Sequence, residues 1–514
     1  MEIYKIQDDN VYLIYHPEET DVNVGSQYII QERDETHKGK GIIVQVIANE
    51  SLDYPGIIQE LIQDSLEQTF RVKNQMSPLD REPSFTDVKS LKVAHAKIKK
   101  QIDVDSILNW EGWIPTRNVS IKLMTNRDVV HKIIGEDKQR FSLEICEYDN
   151  QKLSLNAEKL DMINVITGIK GSGKSHTAKN ILLRLVKEGV PCVVFDLNNE
   201  YKFENALILK LGDNFKFDMA QMDPYDVFSI INSVFPLPDR TRERFQHTIF
   251  EAYNSRRRYC EKRKERFTID LDFLKQDNTI ENILLPGGKE PFLVNMRGSL
   301  KNALDIIANK GIFKDKYKDS SESVWDLKTA YKRVTEDGSI FLLFDLFGDN
   351  PKVRSILVES VNKQLINICD EQAKSGSNLY PFIFFEEAHM YIEKSAIENF
   401  ATRGRHIGIR MFFMTNTPDA LPEMIFRQLD NLFLLHLTHK SDIRHVSKSS
   451  FTDEETVENI ATRMPHQHLM IIGSITNNYP LVVKGSALPD GTPETGVTRS
   501  LWEGLMKRNM TRDF

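Results

Sequence analysis

The 514-residue chain has little cysteine, no long hydrophobic run and no surplus of positive charge. Its four cysteines, Cys146, Cys192, Cys260 and Cys369, stand far apart with no CxxC spacing. That pattern argues against a zinc knuckle or a disulfide framework and fits a reducing compartment. No apolar run reaches the roughly eighteen residues that a membrane helix needs. The start, Met1 to Lys5, lacks a basic stretch followed by an apolar one, so a cytoplasmic protein with no membrane partner is expected. Lys and Arg number 67 against 74 Asp and Glu, a balance of −7, so any polyanion would have to meet a local basic patch.

What the chain does have is length for two or three domains and a globular composition, 40% apolar and 27% charged. Residues 1–150 read as short strands (Val11–Tyr15, Val22–Gln31, Gly41–Ile47, Val119–Leu123 and Phe141–Ile145), for which a small β-barrel is the expected fold. Pro78 and Pro83 mark a loop among them. Trp110 and Trp113 are of a kind that can stack on bases, but buried anchoring is the commoner use of such a pair.

From about residue 160, long apolar strands alternate with helices, the texture of a parallel α/β sheet. The expected strands are Met162–Thr167, Pro191–Asp196, Ser339–Leu346, Phe382–Glu386, Ile409–Thr415, Leu432–Leu437 and Leu469–Gly473. The domain reading is a core split into 151–217 and 337–486, a helical insertion at 218–336, and a C-terminal arm at 487–514 with a short helical pattern, Ser500–Lys507.

The strongest motif is Gly168-Ile169-Lys170-Gly171-Ser172-Gly173-Lys174-Ser175, a full GxxxxGKS. It follows an apolar strand and opens a helix whose apolar positions, Ala178, Ile181, Leu182, Leu185 and Val186, share one face. Glycines let the backbone curl so that its N–H groups point inward, and the helix N-terminus adds positive potential, so a triphosphate is held by amides and dipole. The candidate nucleotide contacts are Gly168, Lys170, Gly171, Ser172, Gly173, Lys174, Ser175 and His176, with Lys174 on the β and γ phosphates of ATP and Ser175 on Mg²⁺.

An apolar strand ending in two acids supplies the complementary chemistry: Phe382-Ile383-Phe384-Phe385-Glu386-Glu387. Glu386 is expected to act on Mg²⁺ through its water shell and Glu387 to polarise the attacking water. Glu386 stands where Asp is usual. Asn416, at the end of Ile409–Thr415, is a candidate γ-phosphate sensor, or an ordinary turn residue. Arg405 is a candidate for entry into a neighbouring subunit's site, with Arg403 as its rival, or a plain surface arginine. His389, His466 and His468 have no spacing that suggests a metal.

These residues resemble the HerA/FtsK superfamily of ring ATPases, in its HerA-like branch. The resemblance rests on GIKGSGKS, Val194 to Tyr201, FFEEAH, GRHIGIRMFFMTN and Ile425 to Asn431, in that order. It implies a RecA-like core behind an N-terminal barrel, and a homohexamer that hydrolyses ATP between subunits through Lys174, Ser175, Glu386, Glu387, Asn416 and a trans Arg405. It also implies a motor on double-stranded DNA that works with a partner nuclease, or with a sirtuin-like or nuclease effector in phage defence. Asn416 stands where the family commonly has Gln.

Two functions compete. One is a DNA-translocating motor, for which Arg256–Arg266, seven basic residues against two acidic, offers phosphate contacts. The bland alternative for that run is a solvated helix face in which Glu261 and Glu265 pair with neighbours along the helix. The other function is a nucleotide-ordered ring that scaffolds an effector. A small-molecule kinase is disfavoured by Glu387, which suits water activation. In a ring only the pore has to be basic, so the acidic balance does not exclude DNA.

Overall fold

The computed structural model describes residues 1–51, 92–135, 142–315, 324–489 and 492, with short omissions at 18–19, 35–36, 38, 105, 149–150, 375, 377–378 and 450. The loop at Pro78 and Pro83, Phe141 and the pattern Ser500–Lys507 lie outside the described residues. By compactness the chain forms two units, Met1–Asn156 with Leu432–Gly485, and Ala157–Asn431 with Ser486–Phe514.

The first unit begins with a seven-stranded antiparallel sheet: β1 (Glu2–Gln7), β2 (Asn10–Tyr15), β3 (Gln27–Glu32), β4 (Lys40–Ser51), β5 (Lys92–Asp103), β6 (Ser106–Leu108) and β7 (Val119–Met124). The order is β1-β2-β5-β4-β3-β7 with β6 on β5, and no pairing among the described residues joins β1 to β7. Of the small β-barrel expected, the described residues form a curled antiparallel sheet. Its core holds Val11, Leu13, Ile30, Ile42, Val44, Val46, Ala94 and Ala96, with Trp110 and Trp113 packed against it. Trp110 also donates its indole N–H to the Trp113 carbonyl at 2.7 Å, which is the anchoring use of the pair.

The strand reading misses β5, and the reason is chemical. Lys97 and Lys99 occupy inward positions that a sequence reader assigns to solvent. Lys97 Nζ lies 2.6 Å from Asp453 and 2.8 Å from Glu455, while Lys99 donates to Thr452 and Thr456. A hairpin, β8 (Ser142–Tyr148) and β9 (Gln151–Asn156), follows.

The second unit carries a six-stranded parallel sheet: β10 (Ile163–Thr167), β11 (Cys192–Asp196), β12 (Ala206–Leu209), β13 (Phe341–Asp345), β14 (Phe382–Glu386) and β15 (Arg410–Thr415). Its order is β12-β13-β11-β14-β15-β10, with every pair parallel. Each of β10, β11, β13 and β14 is buried along its whole length, which is why they read as unbroken apolar runs. The helix α1 (Lys174–Lys187) buries Ala178, Ile181, Leu182, Leu185 and Val186 and is closed by Gly189 at φ 77°.

Between β12 and β13 the described residues include the helices α2 (Pro224–Val234), α3 (Asp239–Arg263), α4 (Pro291–Lys310) and α5 (Leu327–Asp337). Helices α2, α3 and α4 pack together through buried Phe228, Phe245, Ile249, Leu300 and Leu304. Two further helices connect the core strands, α6 (Pro351–Lys374) and α7 (Lys394–Ile407). The chain then reaches β16 (Asn431–Leu434) and returns to the first unit for β17 (His468–Gly473) and β18 (Leu481–Gly485), which pairs antiparallel with both β17 and β8. All four cysteines are buried. No helix among the described residues is long and apolar enough to cross a membrane.

Candidate active site

In a parallel sheet the carboxyl ends of adjacent strands open onto one crevice. Here that edge collects the glycine-rich loop after β10, the acids that close β11 and β14, and the Thr415-Asn416 turn after β15. Because β15 lies between β10 and β14, the turn sits between the loop and the acids.

The loop owes its shape to Gly171 and Gly173, both in the left-handed region at φ 81° and 111°, where an L side chain is strained. Ser172 braces the turn, its hydroxyl donating to the Ile169 carbonyl at 2.8 Å. Lys174 folds back onto the loop and donates to the carbonyls of Gly168 at 2.8 Å and Ile169 at 3.0 Å. Burial pushes its ammonium pKa down, against the opposing pull of Glu387, Glu200 and Glu386. Lys170 and Gly171 are exposed, and Ser175 is half-buried. His176 faces away from phosphate chemistry: its Nε2 lies 2.8 Å from the Ser486 carbonyl, tying α1 to the chain that follows β18.

Glu386 is 5% exposed and fully engaged. One carboxylate oxygen accepts the N–H groups of Leu197 and Asn198 at 2.9 and 3.1 Å, and the other accepts the Asn198 amide at 2.9 Å. Asp196, at the end of neighbouring β11, accepts the N–H groups of Glu200 and Tyr201, each at 3.0 Å. Burial and the charge of Asp196 push Glu386 up to about 8, and burial also raises Asp196. Two buried acids side by side are thus short of positive charge. Lys179 supplies part of it: the side chain is 2% exposed, lies 3.3 Å from Glu200 and stands over the Tyr201 ring.

Glu387 has φ 48° and ψ 50°, left-handed for a residue with a β-carbon. The conformation is held by its own N–H on the Met414 carbonyl at 2.8 Å and by Met390 N–H on its carbonyl at 2.8 Å. Its carboxylate accepts the Asn416 N–H at 3.3 Å and lies 3.7 Å from His389 Nδ1. The His389 ring in turn contacts the hydroxyls of Thr415 and Thr417 at 3.4 and 3.2 Å, so it orients this corner. Asn416 therefore meets Glu387 through its backbone.

Arg405 is not brought into this crevice. Helix α7 runs from the carboxyl ends of the strands back to their amino ends, and Arg405 lies near its last turn. Its guanidinium lies 3.9 Å from Asp430, whose carboxylate accepts the Ile163 N–H at the start of β10. Five strand residues span about 16 Å, so Arg405 sits a strand length from its own phosphate loop and is 44% exposed.

Asp196, Glu200, Lys179 and Tyr391 were not assigned roles from the sequence. Lys179 carries a detectable signal, since it falls three residues before Leu182 and seven before Val186, on the buried face of α1. Tyr391 is buried, its phenol pushed well above the ordinary range by burial and then by Glu386, Glu387 and Asp196.

Residues 144–365 match the family described as "Helicase HerA, central domain". That match ends before β14, so the acidic strand end lies outside it. The chain is 22% identical over 406 residues to the DNA double-strand break repair helicase HerA of Sulfurisphaera tokodaii, covering 76% of this chain and 77% of the relative. It is likewise 22% identical over 357 residues to the protein of that name from Sulfolobus acidocaldarius, covering 65% and 67%. Among solved structures, VirB4 of Thermoanaerobacter pseudethanolicus aligns with TM-score 0.46 at 13% identity, over 69% of this chain and 98% of that one. The bacterial conjugative coupling protein TrwB aligns with TM-score 0.45 at 13% identity, over 72% and 92%.

Proposed function

The chain is a HerA/FtsK-type P-loop ATPase, and on that premise we propose that it couples ATP hydrolysis to movement along double-stranded DNA. The observation that carries the hydrolytic half is the convergence of the glycine-rich loop with Glu386 and Glu387 at one sheet edge. Lys174, released from the Gly168 and Ile169 carbonyls, would neutralise the β and γ phosphates, while the loop amides and the N-terminus of α1 hold the rest. Glu387 is the base that polarises the attacking water, oriented by the Asn416 N–H and by the His389 contacts.

The oxygen donors present fit magnesium: the Ser175 hydroxyl and Glu386, one of two adjacent buried acids whose nearby cations are Lys179 and, from the loop, Lys174. When bound, that ion would supply charge neutralisation at the phosphates. Arg405 reads best as a contribution to a neighbouring subunit's site, because it stands too far from its own. We accordingly assign a homohexameric ring. Residues 1–150 are its barrel-like N-terminal module, 151–217 and 337–486 the core, 218–336 the insertion and 487–514 the arm, and a partner nuclease or effector acts beside it. DNA as substrate is supported by the double-strand break repair named in the relatives.

The test is a pair of variants. Glu387→Gln should retain ATP binding and lose hydrolysis, and Lys174→Ala should lose binding itself. Normal turnover by either would refute the assignment.

A further inference from the structure

Helix α3 ends in the most basic stretch of the chain: Arg256, Arg257, Arg258, Lys262, Arg263, Lys264 and Arg266 against Glu261 and Glu265. Seven positive residues less two negative leaves a surplus of five on a protein whose total is −7. Helical spacing sets Glu261 four residues after Arg257, so the plain expectation is a self-neutralised solvated face. That pairing is absent: among the described residues none of the seven cations forms an ion pair with Glu261, Glu265 or any other acid.

Three of the guanidinium groups lie on aromatic rings instead. Arg257 is 5.1 Å from the Phe267 ring centre, Arg263 is 4.7 Å from that of Tyr259, and Arg256 is 5.2 Å from both Tyr259 and Phe273. Arg256 also donates to the Thr268 carbonyl at 2.9 Å. Stacking fixes a guanidinium plane while leaving N–H edges for acceptors, and it spares the entropy of ordering a free arginine. The helix buries Phe245, Ile249, Ala252, Tyr253 and Cys260, and Arg257, Arg258 and Lys262 are each exposed. Favourable cation placement at a helix C-terminus accounts for Lys262 and Arg263 in the last turn but not for the arginines a turn and more before it.

We propose that this end of α3 is a nucleic-acid contact that grips the phosphate backbone without reading bases. It rests on the DNA-translocation reading above and gives it a surface within the insertion. Arginine-rich and partly pre-ordered charge fits phosphates, which accept paired N–H donors, and among the described residues no acid forms an ion pair with these cations.

The experiment is fluorescence anisotropy of the full chain with a labelled duplex between about 50 and 200 mM salt, for the wild type and the triple variant Arg257→Ala, Arg258→Ala, Lys262→Ala. Each lost phosphate contact should flatten the plot of log affinity against log salt by about 0.9. Losing all three contacts would then remove about 40-fold of the salt effect over that range. DNA-free ATP turnover and assembly size should not change. A wild type that binds duplex, with a triple variant of equal affinity and slope, overturns the inference and leaves the translocation reading standing. A wild type with no salt-sensitive duplex binding overturns both. Labelled polyglutamate bound as tightly as duplex, with the same dependence on the three residues, would assign the surface to an acidic protein and overturn the nucleic-acid proposal.

Discussion

Glu387 combines a catalytic assignment with a left-handed backbone, and the two can be separated by comparing Glu387→Gly with Glu387→Ala. Both variants remove the carboxylate, its contact with the Asn416 N–H at 3.3 Å and its repulsion with neighbouring acids, so these contributions cancel between them. What remains is the backbone at φ 48° and ψ 50°. Holding an L-residue there costs roughly 1–2 kcal/mol, and glycine gives back roughly 0.5–1 kcal/mol through the greater freedom of its unfolded state. The glycine variant should therefore be the more stable by about 1 kcal/mol, the reverse of the order at a helical or extended position. In thermal unfolding of the nucleotide-free protein this is a Tm about 1–3 °C higher for Gly than for Ala. Both should lack ATP turnover. An alanine variant as stable as the glycine variant, or more so, would refute the stored strain, and turnover in either would refute the carboxylate's role. The expected pattern, strain kept at a reacting group, is a stability cost tolerated for function.

Three further outcomes follow from the same structure. Lys97→Met should destabilise the first unit by about 2 kcal/mol at neutral pH in chemical denaturation, less than for a fully buried pair because Asp453 and Glu455 are partly exposed. The lysine holds the Asp453 carboxyl well below the usual range. A depressed carboxylate pKa adds stability above its ordinary value that is lost as pH falls, so the penalty of Lys97→Met should shrink below about pH 4 and persist above it. Glu386 behaves with the opposite sign. Its pKa, pushed up to about 8, means its contribution is fully present below the ordinary glutamate value and is lost as pH rises toward 8. Glu386→Gln should then raise the Tm of the nucleotide-free protein near about pH 8.5 and change it little near about pH 5, with equal shifts at both counting against the buried pair. Lys179→Met should lower stability more at high pH than at low, because it removes a cation near Glu386 and Asp196, whose raised carboxyls ionise as pH climbs, and a pH-independent loss would point to packing alone.

Much of the core was legible because the chemistry there imposes residue types on neighbouring positions. A loop that points its amides inward requires Gly171 and Gly173, and buried parallel strands require unbroken apolar runs, so β10, β11, β14 and β15 could be placed nearly to their ends. The failures have a common cause, which is polar groups facing inward. β5 was hidden by Lys97 and Lys99, whose partners Asp453, Glu455, Thr452 and Thr456 lie some 350 residues away in sequence. Asp196 and Lys179 acquire meaning only once β11 and β14 are adjacent, a pairing that crosses the whole insertion. The local rule that acids pair with bases four residues away suggested a neutral face at the end of α3, where stacking on Tyr259 and Phe267 prevails. The position of Arg405 beside Asp430, away from its own phosphate loop, depends on the direction of α7, which no local pattern reveals.

The central claim is that hydrolysis at this site moves the protein along duplex DNA, and displacement of a labelled third strand from a duplex measures it directly. The wild type should release the third strand only with ATP, and Glu387→Gln should bind ATP and the duplex yet release nothing. ATP turnover by the wild type that is indifferent to duplex DNA and displaces no third strand would contradict the account.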